Sequence, residues 1–256
     1  MITTAELKNF VLGKSGFKKL NPEEGTLFGL TSGKMEKVVV CWMATDTAIQ
    51  YAVKSQADAI ICHESLFLPC DPPSGGVRKK GDFLSCSVDW SVNKRKVELL
   101  SGHHIGVYRL HGNMDRITIM DTFAGLLGLK NTVYDDSEKY HRIVEVAPIT
   151  LNELAGKIKK KLHLKKVLLV GDKNKKISRA SFIWGGMGLF VNTFFIEQLI
   201  ALNCDVMIGG ESDEYAMQYI KESGVCAIIT SHVLSERPGV KKFSELLIAK
   251  FKKNIY

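Results

Sequence analysis

Two pairs of short segments make the chain resemble itself, and this repetition constrains the fold more than any other feature. Residues 57–64 read ADAIICHE and residues 204–211 read CDVMIGGE, each with an aspartate in second place, an apolar run and a final glutamate. A second pair occurs in the same order, GVYRLHGNMD at residues 106–115 and GVCAIITSHVLSE at residues 224–236. The shared order predicts that the chain consists of two related halves.

Both halves are predicted to be α/β, because apolar runs of strand length alternate with segments of helical period. We expect two related α/β domains, residues 1–130 and residues 131–256, each a mixed sheet flanked by helices. The C-terminal part of the second is expected to pack back and complete a shared site. Strands are predicted at residues 38–42, 57–62, 105–110, 142–147, 166–170, 180–184, 206–208 and 226–230. Helices are predicted at residues 45–54, 92–100, 121–127, 213–223 and 240–250, with a further one opened by Gly185, Gly186 and Gly188 and running through Leu202.

Composition narrows the class of protein. A chain of 256 residues that is 45% hydrophobic can bury a large core. The sequence has no uninterrupted apolar run of the roughly 18–20 residues that a membrane helix needs. Thr3 and Glu6 have capping-box spacing at the start of an amphipathic helix, which is unlike a signal peptide, so we expect a cytoplasmic protein without membrane contact. Six scattered cysteines without a C-x-x-C pair indicate neither a disulfide framework nor a cysteine zinc site.

The net charge of +8 leaves two interpretations open. Much of the excess lies in lysine runs within residues 157–166, 173–176 and 250–253, which are typical of solvated helix faces and a basic tail. The alternative is an anionic partner such as nucleic acid. No aromatic residues alternate with these lysines as a single-strand binding surface requires, so nucleic acid is possible but not favoured. Residues 70–80, rich in Pro, Gly and charge, are predicted to form a loop or insertion.

Three predicted strands end in a histidine and an acidic residue. In open α/β sheets the functional crevice lies at the carboxyl ends of the strands, so these side chains can converge. Imidazole and carboxylate groups together suit Zn, Mn, Fe or Ni. Two such ions about 3.5–4 Å apart, sharing a carboxylate, use five or six ligands. Each histidine taken alone is more often a hydrogen-bonded core or surface residue than a metal ligand. The candidate residues are His63, Glu64, His111, Asp115, His232 and Glu236.

Several motifs resemble the Nif-three-like family, relatives of the yeast Ngg-one-interacting factor three, many of which are named type 2 homologues of GTP cyclohydrolase I. ADAIICHESLF is similar to its first signature, an apolar strand that ends in His-His-Pro-Leu. VYRLHGNMD is similar to its His-Thr-Asn-x-Asp stretch, and DTFAGLLGL to the segment after that stretch. WGGMG, CDVMIGGESDEYA and ITSHVLSERPGVKKFSELL resemble its Gly-rich turn, its Thr-Gly-Glu segment and its Gly-His-x-x-Ser-Glu signature.

This resemblance implies a centre of two divalent metal ions per chain. His63 and Asp115 would bind one ion, His232 the other, and Glu236 would bridge both. His111 matches a family histidine near the site, which is assigned either to a supporting position next to the ligands or to proton transfer, and not to direct ligation. Glu64 occupies the position of the family's second histidine. The resemblance also implies a ring-shaped homohexamer with its sites facing an internal cavity.

Glu64 departs from the family pattern and changes the expected chemistry. A carboxylate at this position still coordinates a metal, but it adds a negative charge to the ligand set. The added charge favours harder ions such as Mn²⁺ or Fe²⁺ over Zn²⁺.

The predicted function is metal-dependent hydrolysis. A site with open coordination positions binds water or substrate, and a water that bridges two cations becomes a hydroxide nucleophile near neutral pH. The expected substrate is a small molecule, a nucleotide or a phosphoester. Gly185, Gly186 and Gly188 either contact a phosphate or allow close packing of strand and helix, and Glu211 either faces the cleft or caps a helix. The alternative function is a non-enzymatic metal-binding regulatory or scaffold protein that binds a macromolecule.

Overall fold

The computed structural model describes residues 1–30, 33–68, 89–136, 140–252 and 254–256. The chain forms two compact units, the first made of Met1–Thr118 with Val240–Tyr256 and the second of Ile119–Gly239. The predicted loop at residues 70–80 lies outside the described residues. The division into domains at residue 130 stays a prediction.

Short strands alternate with helices along most of the chain. The strands are β1 (Ile2–Thr3), β2 (Gly25–Phe28), β3 (Lys34–Met35), β4 (Lys37–Cys41), β5 (Ala59–Cys62), β6 (Gly106–Arg109), β7 (Thr132–Asp135), β8 (Arg142–Thr150), β9 (Leu168–Val170), β10 (Lys176–Ile183), β11 (Val206–Gly209), β12 (Cys226–Ile229) and β13 (Asn254–Ile255). The α-helices are α1 (Thr4–Ser15), α2 (Asp46–Lys54), α3 (Ser91–Gly102), α4 (Gly112–Met114), α5 (Met120–Leu127), α6 (Leu151–Lys161), α7 (Thr193–Ala201), α8 (Glu214–Glu222) and α9 (His232–Phe251). Asp115–Ile119 is a π-helical turn and Phe190–Asn192 a 3-10 turn.

The first unit contains a five-stranded mixed sheet in the order β13-β4-β5-β6-β2. Strands β13, β4, β5 and β6 are parallel, and β2 pairs antiparallel with β6. Every residue of β5 and β6 is buried, as expected for strands covered on both faces. Ile60 and Val107 on these strands pack with Ile49 of α2 and Leu100 of α3 in one apolar core.

The second unit contains a six-stranded mixed sheet in the order β7-β8-β10-β11-β12-β9. Strands β10, β11 and β12 are parallel, whereas β8 and β9 pair antiparallel with their neighbours β10 and β12. Met207 and Ala227 pack with Ile196 and Leu199 of α7 and Ile220 of α8. Each unit therefore has three consecutive parallel strands, connected through helices, with an antiparallel strand beside the third.

The aspartate in second place of each repeated segment has the same role in both units. Asp58 accepts hydrogen bonds from the backbone N–H groups of Glu36, at 2.8 Å, and Lys37, at 3.3 Å, next to β4. Asp205 accepts from the N–H groups of Ser178 and Arg179 in β10, both at 2.8 Å. In each unit, therefore, the aspartate of the repeated segment links the start of one parallel strand, β5 or β11, to the backbone at the preceding parallel strand, β4 or β10.

Two expectations about helices are wrong. The last helix begins at His232 and not near Val240, and it continues through Pro238. The glycines at positions 185, 186 and 188 do not open a helix, because α7 begins only at Thr193. Gly185 instead has a φ of +49° and turns the chain directly after β10.

The predicted capping box of Thr3 with Glu6 is confirmed at the start of α1. Thr150 and Glu153 form a second capping box at the start of α6. The four cysteines in the described part of the chain are free thiols. Among the described residues, no helix combines the length and the apolar character that crossing a membrane requires.

Candidate metal centre

His63 and Glu64 lie on the turn directly after β5. The backbone N–H of Glu64 donates to the carbonyl of Trp42 at 2.7 Å, which fixes the turn against the end of β4. His63 is fully buried, and its Nδ1 lies 3.3 Å from the carbonyl oxygen of Leu110. An imidazole that donates from Nδ1 offers Nε2 as a metal ligand, since the hydrogen bond of one ring nitrogen sets the role of the other.

The segment after β6 brings His111 and Asp115 to the same place. Nε2 of His63 lies 3.6 Å from Oδ1 of Asp115 and 4.0 Å from Oε1 of Glu64. One ligand atom from each of His63, Glu64 and His111 lies within 4.8 Å of the others. Asp115 is the first residue of the π-helical turn, a type of turn that is frequent at functional sites. Four of the six candidate residues therefore cluster within the first unit.

Glu24 is a buried carboxylate that holds this segment in place, and the sequence patterns did not identify it. Its Oε1 accepts from the N–H groups of His111, at 2.7 Å, and Asn113, at 2.9 Å. Its Oε2 accepts from the amide of Asn113 and from the N–H of Asn21. Glu24 precedes β2 and has no apolar strand before it. The only signal available was an acidic residue in the polar NPEEG segment, which is also typical of a surface turn.

Two residues of α3 hold the segment after Glu64, and sequence reasoning missed both of them. The side chain of Asn93 accepts from the N–H of Leu68 at 3.0 Å and donates to its carbonyl at 2.7 Å. Lys96 is buried and donates from Nζ to the carbonyl of Leu66 at 2.6 Å. These contacts fix residues 66–68 on α3. The only sequence feature that could have indicated Asn93 and Lys96 was the polar face of α3, which is also typical of a solvent-exposed helix face.

His111 has a carboxylate neighbour of its own. Its Nδ1 lies 3.6 Å from Oε1 of Glu23, and both side chains are about one-third exposed. The neighbouring imidazole of His111 lowers the pKa of the Glu23 carboxyl group, although burial acts in the opposite direction. A carboxylate beside one nitrogen of a histidine orients the ring, so Glu23 fixes the direction in which the imidazole of His111 faces.

In the second unit, His232 and Glu236 lie on the first turns of α9. The spacing of four residues places both side chains on one face of the helix, and Nε2 of His232 lies 3.2 Å from Oε2 of Glu236. Nδ1 of His232 lies 2.9 Å from Oε2 of Glu211, the final residue of the second repeated segment. Glu211 therefore faces a candidate ligand, and its carboxylate orients the ring of His232.

The Gly-rich turn after β10 packs directly against these two side chains. A Cβ atom on Gly185 would lie 1.8 Å from Oε1 of Glu236 and 2.9 Å from Nε2 of His232. The N–H of Gly185 donates to Oγ of Ser235 at 2.9 Å, so it is already used within the protein. Close packing thus explains the glycine at position 185. Its N–H group is not available to a phosphate, so the phosphate-binding interpretation is not supported for Gly185.

The donor atoms in both units suit a divalent metal ion. The first unit contributes His63, Glu64 and Asp115, with His111 beside them, and the second contributes His232 and Glu236. Imidazole nitrogen and carboxylate oxygen are ligands of Zn, Mn, Fe and Ni, whereas no soft thiolate is among them. The convergence of the two groups on one dinuclear centre stays a prediction.

Known proteins share sequence motifs with the chain over most of its length. The model of a family described as Duf34/NIF3 (NGG1p interacting factor 3) matches residues 17–256. A Clostridium acetobutylicum protein named GTP cyclohydrolase 1 type 2 homolog is 23% identical over 233 residues, which cover 87% of this chain and 80% of that protein. A Haemophilus influenzae protein of the same name is 25% identical over 257 residues, which cover 96% and 93%.

Solved structures share the fold. A hypothetical protein from Staphylococcus aureus superposes with a TM-score of 0.76 at 20% identity, covering 99% of this chain and 94% of that one. A Bacillus cereus protein related to NIF3 superposes with a TM-score of 0.76 at 15% identity, covering 99% and 95%. These likenesses confirm the predicted mixed α/β fold.

Proposed function

The chain belongs to the Duf34/NIF3 family, and we propose that it is a metal-dependent hydrolase that acts on a nucleotide or another phosphoester. The proposed ligands are His63, Glu64, Asp115, His232 and Glu236, and they hold two divalent ions per chain. His111 is the proposed proton carrier.

One observation carries the proposal: the two histidines proposed as ligands present the same ring nitrogen to carboxylates. Nε2 of His63 lies 3.6 Å from Asp115, and Nε2 of His232 lies 3.2 Å from Glu236. Nδ1 of each ring is engaged elsewhere, by the carbonyl of Leu110 and by the carboxylate of Glu211. Metal-binding histidines usually have this arrangement, in which the distal nitrogen is hydrogen-bonded to a carbonyl or carboxylate group.

The chemistry divides between the ions and the side chains. Two bound ions would supply Lewis acidity, and they would also lower the pKa of a bound water so that it could lose a proton and act as a nucleophile near neutral pH. Glu211 and the carbonyl of Leu110 keep the two imidazole rings in the orientation that ligation needs. We assign proton transfer to His111, which has Glu23 beside its Nδ1 and would give a proton to the leaving group and recover one from solvent.

The proposed substrate class comes from the relatives. The similar proteins from Clostridium acetobutylicum and Haemophilus influenzae are named GTP cyclohydrolase 1 type 2 homologs, which favours a purine nucleotide. Two carboxylate-rich ligand groups also suit the hydrolysis of a phosphoester, because the bound ions would neutralise the charge of the phosphate.

A screen of purine nucleotides and model phosphoesters with Mn²⁺ and Zn²⁺ tests the proposal. Wild type is compared with Glu236→Gln, which keeps the shape of the buried side chain and removes its charge. Glu245→Gln is the matched control, because Glu245 lies on the same helix and is exposed. We expect a metal-dependent activity that only Glu236→Gln loses. Bound metal without turnover of any substrate, together with salt-sensitive binding of nucleic acid, would instead support a non-enzymatic role.

A further inference from the structure

Arg109 is a buried cation beside the proposed ligand Glu64. Its side chain is 8% exposed, and it stands at the end of β6. Its Nε–H donates to the carbonyl oxygen of His63 at 3.1 Å, and Nη2 lies 3.9 Å from Oε2 of Glu64. The other oxygen of Glu64 faces Nε2 of His63 at 4.0 Å. Glu64 thus has one oxygen toward a candidate ligand and the other toward a guanidinium group.

A guanidinium group this close to a metal site needs an explanation. Arginine stays protonated in proteins and has no lone pair to offer a metal. Its fixed positive charge opposes the binding of a divalent cation, and burial limits the screening that water and salt would provide. A neutral ligand at position 64 would remove the carboxylate that lies beside this charge, whereas the carboxylate of Glu64 offsets it.

We infer that Arg109 is a positioning residue, which orients Glu64 as an oxygen ligand and cancels the negative charge that Glu64 adds. This inference rests on the proposed metal centre. The Arg109–Glu64 pair contributes no net charge to the site. The expected preference for harder ions then comes only from the oxygen donor, because the extra charge of the ligand set is neutralised within the first unit.

A double-mutant cycle on metal affinity tests the inference. Dissociation constants for Zn²⁺ and Mn²⁺ are measured by competition with a chromophoric chelator for wild type, Glu64→Gln, Arg109→Met and the double variant. Glu64→Gln removes the anionic oxygen and leaves Arg109 facing the ion, so we expect Kd to rise about 10- to 100-fold. Adding Arg109→Met removes the opposing charge and should recover about tenfold or more of that loss.

Arg109→Lys is the matched control in the Glu64→Gln background, since it keeps the charge but not the shape of the fork. We expect it to give no recovery. Thermal unfolding of the metal-free proteins shows which variants fold. If Arg109→Met does not fold, Arg109→Gln replaces it, because glutamine is neutral and retains an N–H donor for the His63 carbonyl. We expect the same recovery of metal affinity.

The outcomes separate this inference from the proposed function. If Arg109 only supports the backbone at His63, its neutral variants will weaken metal binding in both backgrounds, and the inference is overturned. If wild type binds metal and the double variant shows no recovery, the inference alone is overturned. If wild type binds neither Zn²⁺ nor Mn²⁺, the proposed function fails together with it.

Discussion

Gly185 combines a positive φ of 49° with a close approach to the carboxylate of Glu236. For alanine the left-handed backbone would cost about 1–2 kcal/mol, and the methyl group would also displace Glu236 and His232. Gly224 is the matched control, because its φ is +76° but no atom lies within 4 Å of the position of a Cβ. We expect both alanine variants to unfold at lower urea concentration. Only Gly185→Ala should also weaken metal binding, by about tenfold or more, and equal metal affinity in the two variants would contradict this role.

Glu24 illustrates a residue whose importance only the folded structure reveals. Glutamine at this position keeps one accepting oxygen but turns an amide NH₂ toward the N–H of Asn21 and the amide of Asn113. Losing charge-assisted hydrogen bonds in a buried place should lower the free energy of unfolding by about 1.5–3 kcal/mol. Urea denaturation measures the loss. Glu23→Gln, next to it and 38% exposed on its side chain, should change stability by less than about 0.5 kcal/mol; a loss as large as that of Glu24→Gln would refute the assignment.

Asp205 accepts hydrogen bonds from the backbone of β10, and these bonds should make the free energy of unfolding depend on pH. Burial opposes ionisation, but hydrogen bonds from Ser178 and Arg179 outweigh it and lower the pKa of Asp205 below its ordinary value of 3.8. A carboxyl group whose pKa is lowered by folding stabilises the protein above the unfolded pKa, and this contribution disappears as pH falls through the folded pKa. Asp205→Asn should therefore destabilise the protein by about 0.5–1.5 kcal/mol at pH 7, because Asp205 is only partly buried and solvent weakens its hydrogen bonds. The difference from wild type should shrink below about pH 4, and a difference independent of pH between about 7 and 3 would exclude this account.

The elements also show what sequence patterns can and cannot predict. Strands β5, β6, β11 and β12 were predictable because each is a buried apolar run bounded by turn residues. The start of α9 was missed because HVLSERPG contains a proline and a glycine, which usually end helices. The spacing of four between His232 and Glu236 was the available signal for a helix. The short edge strands β1, β3 and β13 gave too few residues for any period to be recognised.

For the whole molecule, the sequence predicted the fold class and the residues that cluster within each unit, but not the residues that hold them. His63, Glu64, His111 and Asp115 were found because each comes after a recognisable strand. The sequence did not reveal the residues that hydrogen-bond to these segments, Glu24, Asn93 and Lys96, because a buried polar contact between distant segments has no local sequence pattern. The predicted homohexamer, the cytoplasmic location and the convergence of the two ligand groups stay predictions. Light scattering tests the first, with an expected mass of six chains of 28.5 kDa each.

The metal content of the purified protein, measured by inductively coupled plasma mass spectrometry, shows whether the chain holds two ions. The protein is loaded with Mn²⁺ or Zn²⁺ and desalted, and wild type is compared with Glu236→Gln and with the exposed control Glu245→Gln. We expect about two ions per chain in wild type and in the control, and about one or none when the bridging carboxylate is removed. Wild-type protein without stoichiometric metal, or an unchanged content in Glu236→Gln, would contradict the account.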